Sequence, residues 1–296
     1  MVTSISSVFP ADSWDSHIHI IDTERFESLN GLAGPPIAAS VWENAIFENS
    51  IKVQKVTIVQ PTRYGNDNTA TLQALAAYGP VRARAVVQFD PETITEAELK
   101  KWHGLGVRGV RINFANPKNP LAGTQPEEMP KLVQKYAELV KPFGWVLQFY
   151  VKMEDLFKLE STLLAIPLRV VIDHIGNPKL PEPVDGSSEA LDPYYIKGFS
   201  SLINLLKSGN VWVKISAAYR FSKLQDPEFR DVDPLIKEIL RVDSTRAVFG
   251  TDWPHTQHEG LDIRPWIRHL AELTSADKTV QRSVFRENAF NLWDNL

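Results

Sequence analysis

The sequence predicts one (β/α)8 barrel, the TIM-barrel architecture, over residues 1–296 as a single domain. Three observations carry that prediction. Apolar, β-branched runs of strand length alternate with stretches of helical periodicity along the chain. The runs number eight, the count that a closed parallel barrel needs. Segments entering the strands are short, such as Ala165-Ile166-Pro167 and Ser208-Gly209-Asn210, whereas those leaving them are long, at 22–39, 115–130, 177–193 and 220–233. Long loops at the strand C-terminal ends form the active-site face of such a barrel, where they vary without disturbing the core. A doubly wound open sheet is the rival fold, but no glycine-rich phosphate loop follows the first strand.

The strand runs are 14–21, 53–60, 82–89, 107–114, 145–151, 168–174, 211–216 and 246–251. Helix signals follow most of them. Ser40-Val41-Trp42-Glu43 and Thr95-Glu96-Ala97-Glu98 read as capping boxes. Leu132, Tyr136, Leu139, Val140 and Phe143 make one apolar stripe, and Lys141-Pro142-Phe143-Gly144 should stop that helix.

Composition narrows the function classes. Apolar residues make up 43% of the chain, enough for a sizeable core. A formal charge of −4 and a pI near 6.0, with no run of Lys and Arg, give nucleic acid no purchase. Cysteine is absent, which removes disulfides, thiol nucleophiles and thiolate ligands. The N-terminus lacks the basic and apolar regions of a signal peptide, and no apolar stretch is long enough to span a membrane. The expectation is a cytoplasmic protein acting on a small molecule. Its oligomeric state is not readable.

Three short segments hold the chemistry: Asp15-Ser16-His17-Ile18-His19, Ile172-Asp173-His174-Ile175-Gly176 and Gly250-Thr251-Asp252-Trp253-Pro254-His255. Each ends an apolar run. In a barrel they would converge as three imidazoles and a carboxylate. His17 and His19, two apart on a strand, share a face. An inward pair at the mouth is costly to bury without partners, so these are either active groups or core histidines satisfied by Asp252. Arg111 shares parity with Asn113 and faces the interior, while Arg108 faces the other way. An enclosed guanidinium suits a carboxylate of the substrate, or else pairs with one on a neighbouring strand. Tyr150 supplies a further hydroxyl. His103 and His269 read as exposed or capping. His255 and His258 fit the rim or the surface equally, Trp253 packs beside Asp252, and Tyr194 and Tyr195 read as packing residues.

These segments resemble the amidohydrolase superfamily, and more narrowly the amidohydrolase-2 branch that holds lactone hydrolases and isomerases. Val59-Gln60-Pro61-Thr62-Arg63-Tyr64-Gly65-Asn66-Asp67-Asn68 resembles that branch's loop after strand two. Arg108-Gly109-Val110-Arg111-Ile112-Asn113-Phe114 resembles its fourth strand. The resemblance implies lactone hydrolysis, with Asp252 activating water and His17, His19 and His174 donating hydrogen bonds to the carbonyl. It further implies that Arg111, Arg220 and Thr62 contact substrate. Asn177, placed among the substrate-facing positions, stands where the branch's dicarboxylate lactonase has arginine. Pro117 replaces a second arginine, and the loop 31–38 has no tyrosine. A monocarboxylate, an aldonolactone or a neutral aromatic lactone therefore fits at least as well as a pyrone dicarboxylate.

The resemblance also bears on metal. Binuclear members use a lysine on the fourth strand and a histidine on the fifth, and neither is present. The preferred expectation is no cofactor. The alternative is one Zn²⁺ held by His17, His19, His174 and Asp252, as in a mononuclear decarboxylase or amide hydrolase. The absence of any histidine between His174 and His255 argues against a decarboxylase. A lactone isomerase, and a barrel that binds a ligand without turning it over, complete the readings.

Overall fold

The computed structural model describes residues 9–10, 12–22, 39–182 and 191–294. The loops expected at 31–38 and most of 22–39, and the middle of 177–193, lie outside the described residues. Eight strands follow in chain order: β1 (Trp14–Ile18), β2 (Lys55–Val59), β3 (Ala83–Val87), β4 (Val107–Asn113), β5 (Val146–Tyr150), β6 (Val170–Ile172), β7 (Val211–Ile215) and β8 (Ala247–Phe249). Each pairs in parallel with the next. This sequential order excludes the doubly wound sheet, whose order reverses part-way.

The ring closes through the segments that the sequence singles out. Asp252 N donates to His17 O at 2.9 Å, and His19 N donates to Trp253 O at 2.8 Å. Glycine permits this approach: a Cβ on Gly250 would lie 3.0 Å from His17 Cβ and 3.2 Å from His17 N. Asp15 fastens the same joint. Its Oδ1 accepts from His17 N at 2.9 Å and Thr251 N at 3.0 Å, and its Oδ2 accepts from Thr251 Oγ1.

The strands are shorter than the apolar runs. His19, His174 and Asp252 lie just past the last ladder residue. His174 and Asp252 adopt left-handed backbone, at φ 54° and 62°. Non-glycine residues hold such angles at a cost that surrounding structure must offset, as it does at functional turns.

The helices form where capping and periodicity place them. In α1 (Val41–Ser50), Ser40 accepts from Glu43 N and the Glu43 carboxylate accepts from Ser40 N, a complete capping box. After α2 (Thr69–Tyr78), α3 (Glu96–Leu105) has only the forward half: Thr95 accepts from Glu98 N at 3.2 Å. In α4 (Met129–Val140), Tyr136 and Val140 are buried as the stripe predicts. The helix tightens at Lys141–Phe143 and stops at left-handed Gly144. There follow α5 (Glu160–Ala165), α6 (Phe199–Lys207), α7 (Asp233–Asp243), α8 (Arg264–Leu273), α9 (Lys278–Arg282) and α10 (Asn288–Trp293). Among the described residues, no helix is long and apolar enough to cross a membrane. Tyr194 and Tyr195 do not pack in the core as expected. Both are exposed, and Tyr194 Oη donates to Glu238.

Inside the barrel the side chains are layered. Val59, Val86, Val146, Val171, Trp212 and Val248 make an apolar floor, sealed by Leu292 and Trp293 of α10. Above it lies a buried polar layer with Gln148, Lys214, Asp173, His17 and Arg111. A cavity of about 370 Å³ opens above that, between the segments that follow the strands.

Candidate active site

Three imidazoles converge on one carboxylate oxygen. His17 Nε2, His19 Nε2 and His174 Nε2 lie 3.5, 3.6 and 3.8 Å from Asp252 Oδ1. That oxygen is buried and has no hydrogen-bond partner. The other oxygen, Oδ2, accepts from Tyr219 Oη at 2.7 Å and from Arg220 Nε at 2.8 Å. The carboxylate is thus gripped on one side and open on the other. Burial works against its charge, but the Arg220 guanidinium prevails, and Asp252 sits well below the usual carboxylate range.

The imidazoles are held neutral. Burial, then the Lys214 cation, push His17 well below 6.5. Burial and the Arg111 charge bring His19 to about 4. Burial brings His174 to about 4 against the pull of Asp252 and Asp173. His19 Nδ1 donates to Val59 O at 2.8 Å, which leaves Nε2 as an acceptor. His174 Nδ1 lies 2.8 Å from Ser216 Oγ, whose hydroxyl can donate to it and leave Nε2–H facing Asp252.

These shifts have a stability consequence. Unfolded, each histidine takes up a proton near 6.5. Folded, His19, His174 and His255 wait until about 4, and His17 is also lowered. Between those values the unfolded chain binds more protons, so stability present above 6.5 is lost as pH falls toward 4. Asp15, which burial pushes up to about 6, and Glu48, which burial raises well above the usual carboxylate range, act in the opposite sense, but they are two groups against four. The melting temperature should fall by about 5 °C or more between pH 7 and pH 5. Scanning calorimetry checks this; a flat or rising profile contradicts buried neutral imidazoles.

His19, His174, Asp252, Arg111, Arg220, Thr62 and Tyr150 line the cavity together; His17 lies behind them, fully buried. Arg111 Nη1 donates to Gln60 O at 3.2 Å, and its Nε lies 3.6 Å from Asp173 Oδ2, so it is paired as well as exposed to the cavity. Thr62 Oγ1 accepts from Asn113 Nδ2 at 3.0 Å. Asn177 is elsewhere: it lines a second cavity of about 490 Å³ that meets the first at Arg220. His255 is buried against Tyr219 and Phe47 rather than on the surface, and it does not line the cavity. His103 Nδ1 accepts from Trp145 Nε1, and His269 pairs with Asp233 at 2.8 Å.

Sequence reading gave no role to Asp173, Lys214 or Tyr219. Lys214 Nζ lies 3.2 Å from Asp173 Oδ1 and 3.3 Å from His17 Nδ1, and donates to Gln148 Oε1 at 2.8 Å. One signal for it was available. On the run 211–216, Lys214 shares the inward parity of Trp212 and Ser216, where an isolated cation needs a buried anion.

Comparison with known proteins agrees with this fold. Residues 14–294 match the profile of the amidohydrolase family. The chain belongs to the amidohydrolase family. This amidohydrolase is 30% identical over 280 residues to the 2-pyrone-4,6-dicarboxylate hydrolase of Comamonas testosteroni, with 89% of this chain and 86% of that protein aligned. It is 26% identical over 265 residues to the 4-sulfomuconolactone hydrolase of Hydrogenophaga intermedia, covering 89% and 82%. A crystal structure of an Agrobacterium tumefaciens protein superposes with a TM-score of 0.78 at 25% identity, covering 96% of each chain.

Proposed function

We propose that this amidohydrolase opens a lactone ring of a small, carboxylated substrate by attack of water. The single observation behind the proposal is the open Oδ1 of Asp252, held beside three imidazoles at the base of a cavity whose walls carry Arg111 and Arg220. Two relatives with 89% of this chain aligned are named as hydrolases of a pyrone dicarboxylate and of a sulfomuconolactone, both acidic substrates.

The roles follow from donor and acceptor types. A water at the base of the cavity can donate a proton to Asp252 Oδ1, which leaves a lone pair free to face the substrate. Asp252 takes the proton as the hydroxide adds to the carbonyl carbon. His174 Nε2–H donates to the carbonyl oxygen as negative charge gathers there. The ring oxygen leaves with the proton that Asp252 carried, so protons and charge balance over the cycle. Arg111 and Arg220 offer an acidic substituent a cationic wall, with Thr62 and Tyr150 as hydroxyl contacts.

The same donors suit one Zn²⁺. An orphaned buried Oδ1 and nearby Nε2 atoms are the oxygen and nitrogen ligands that zinc takes, and His17, His19 and Asp252 lie within one ligand cluster. His17, His19, His174 and Asp252 would hold the ion, and a bound ion would supply a Lewis acid and a more acidic water. Metal-free hydrolysis is the preferred reading, because Asp252 and neutral imidazoles already supply a base and a carbonyl donor.

A panel of carboxylated lactones incubated in ¹⁸O-water tests the function. One ¹⁸O in each new product carboxylate is expected, with the rate unchanged after chelator treatment. Ring migration without label would make this a lactone isomerase. Loss of activity on chelation, restored only by Zn²⁺, would replace the metal-free reading.

A further inference from the structure

The hydrogen bonds beneath the cavity run in one direction, and that direction can be read from either end. His19 Nδ1 lies 2.8 Å from Val59 O. A carbonyl only accepts, so this nitrogen carries the proton and, in the neutral ring, His19 Nε2 is bare. That bare nitrogen is 3.3 Å from His17 Nε2. A bond between two ring nitrogens needs one proton, and only His17 can supply it. His17 Nδ1 is then bare in turn and requires a donor.

Two groups face His17 Nδ1. Lys214 Nζ is 3.3 Å away and Asp173 Oδ1 is 3.4 Å away. An ammonium only donates and a carboxylate only accepts, so the two demand opposite tautomers. Asp173 Oδ1 has no hydrogen-bond partner, whereas the Lys214 contact has hydrogen-bond geometry. Both ends of the chain therefore agree: Lys214 donates to His17, His17 to His19, and His19 to Val59. Lys214 is held for this task. It is fully buried on β7, donates to Gln148 Oε1 at 2.8 Å, pairs with Asp173 at 3.2 Å and lies 5.4 Å from the centre of the Trp293 ring.

We infer that Lys214 is a positioning residue that fixes the tautomer of His17, so that the ring presents Nε2–H to the site and keeps no electron pair there for a metal. This rests on the reading of Asp252 and its imidazoles as the active site. A histidine that binds metal through Nε2 carries its proton on Nδ1 and donates it to an acceptor, commonly a carboxylate. Asp173 is placed to be that acceptor, and the Lys214 bond displaces it. The lysine thus holds a four-donor cluster in its hydrogen-bonding state. Without it, His17 Nδ1–H would turn to Asp173, and Nε2 of both His17 and His19 would be free to coordinate.

The test reads the protons directly, in protein labelled with ¹⁵N-histidine at pH 7. His17 signals are assigned by their loss in His17→Gln. Wild type should show His17 protonated at Nε2 and bare at Nδ1. Lys214→Met should reverse this and raise Zn²⁺ affinity at least about tenfold by isothermal titration. Lys214→Arg, which keeps a buried donor, should retain the wild-type tautomer and weak zinc binding. A proton on His17 Nδ1 in wild type overturns the inference whether or not Lys214→Met folds. A folded Lys214→Met protein with unchanged tautomer or unchanged zinc affinity overturns it too. Neither readout uses turnover, so a failure of the lactone screen is a separate result.

Discussion

Replacing Asp252 by asparagine is expected to lower kcat on a hydrolysed lactone by about 10²–10⁴-fold, the range of a lost general base, while KM stays within roughly threefold. The substitution keeps size and shape. The amide oxygen can still accept from Tyr219 and Arg220, which hold Oδ2 at 2.7 and 2.8 Å in the native chain. What disappears is the anionic oxygen facing the imidazoles. Steady-state kinetics separates the outcomes. A fall in kcat alone marks a base acting on water, whereas a rise in KM alone would mark a substrate anchor. Activity within tenfold of wild type would end the proposed chemistry.

His174→Phe should cost about 10²–10³-fold in kcat, the loss that follows removal of one donor from a developing oxyanion. His174 and His19 both face the cavity, but they are not equivalent. The His19 proton is committed to Val59 O, so its inner nitrogen accepts. The Ser216 hydroxyl lies 2.8 Å from His174 Nδ1, which lets the inner nitrogen of His174 donate. His174→Gln, which restores a donor, should recover part of the loss. Equal activity of the phenylalanine and glutamine variants would show that His174 acts by shape and not by donation. A loss beyond about 10⁵-fold in both would point to a metal ligand, and zinc content of the purified variants would check that.

The barrel was legible because its signal is repeated. Each strand is an apolar run of similar length, so the errors were confined to the ends, where His19, His174 and Asp252 leave the ladder in turns. The clustering of His17, His19, His174 and Asp252 was legible because these residues sit at strand ends, which one topology brings together. The partners of the quartet were not. Lys214 lies in a run that reads as apolar strand, and Asp173 was seen only as a neighbour of His174. Tyr219 was seen only as a neighbour of Arg220. Which cation meets which carboxylate across the barrel depends on register and strand tilt, and no local pattern encodes either. Arg111 shows the same difficulty. Its inward parity was evident, but its 3.6 Å approach to Asp173 required three strands to be in place. His255 could have gone to rim or surface by sequence, and the turn after Asp252 decided for the interior.

The stacking of an apolar floor, an ionic tier and an open basin has a practical consequence for redesign. Thr62, Arg63, Lys118, Gln257 and Glu259 border the basin on loops. Single-site libraries there should reshape ligand preference while leaving the ionic tier intact. In the tier below, Lys214, Asp173, Gln148, Arg111 and His17 share partners, so each exchange strands its neighbour. Evolution across that tier must proceed by coupled double changes, which makes the loops the accessible route to new substrates and the tier the part that descendants inherit unaltered.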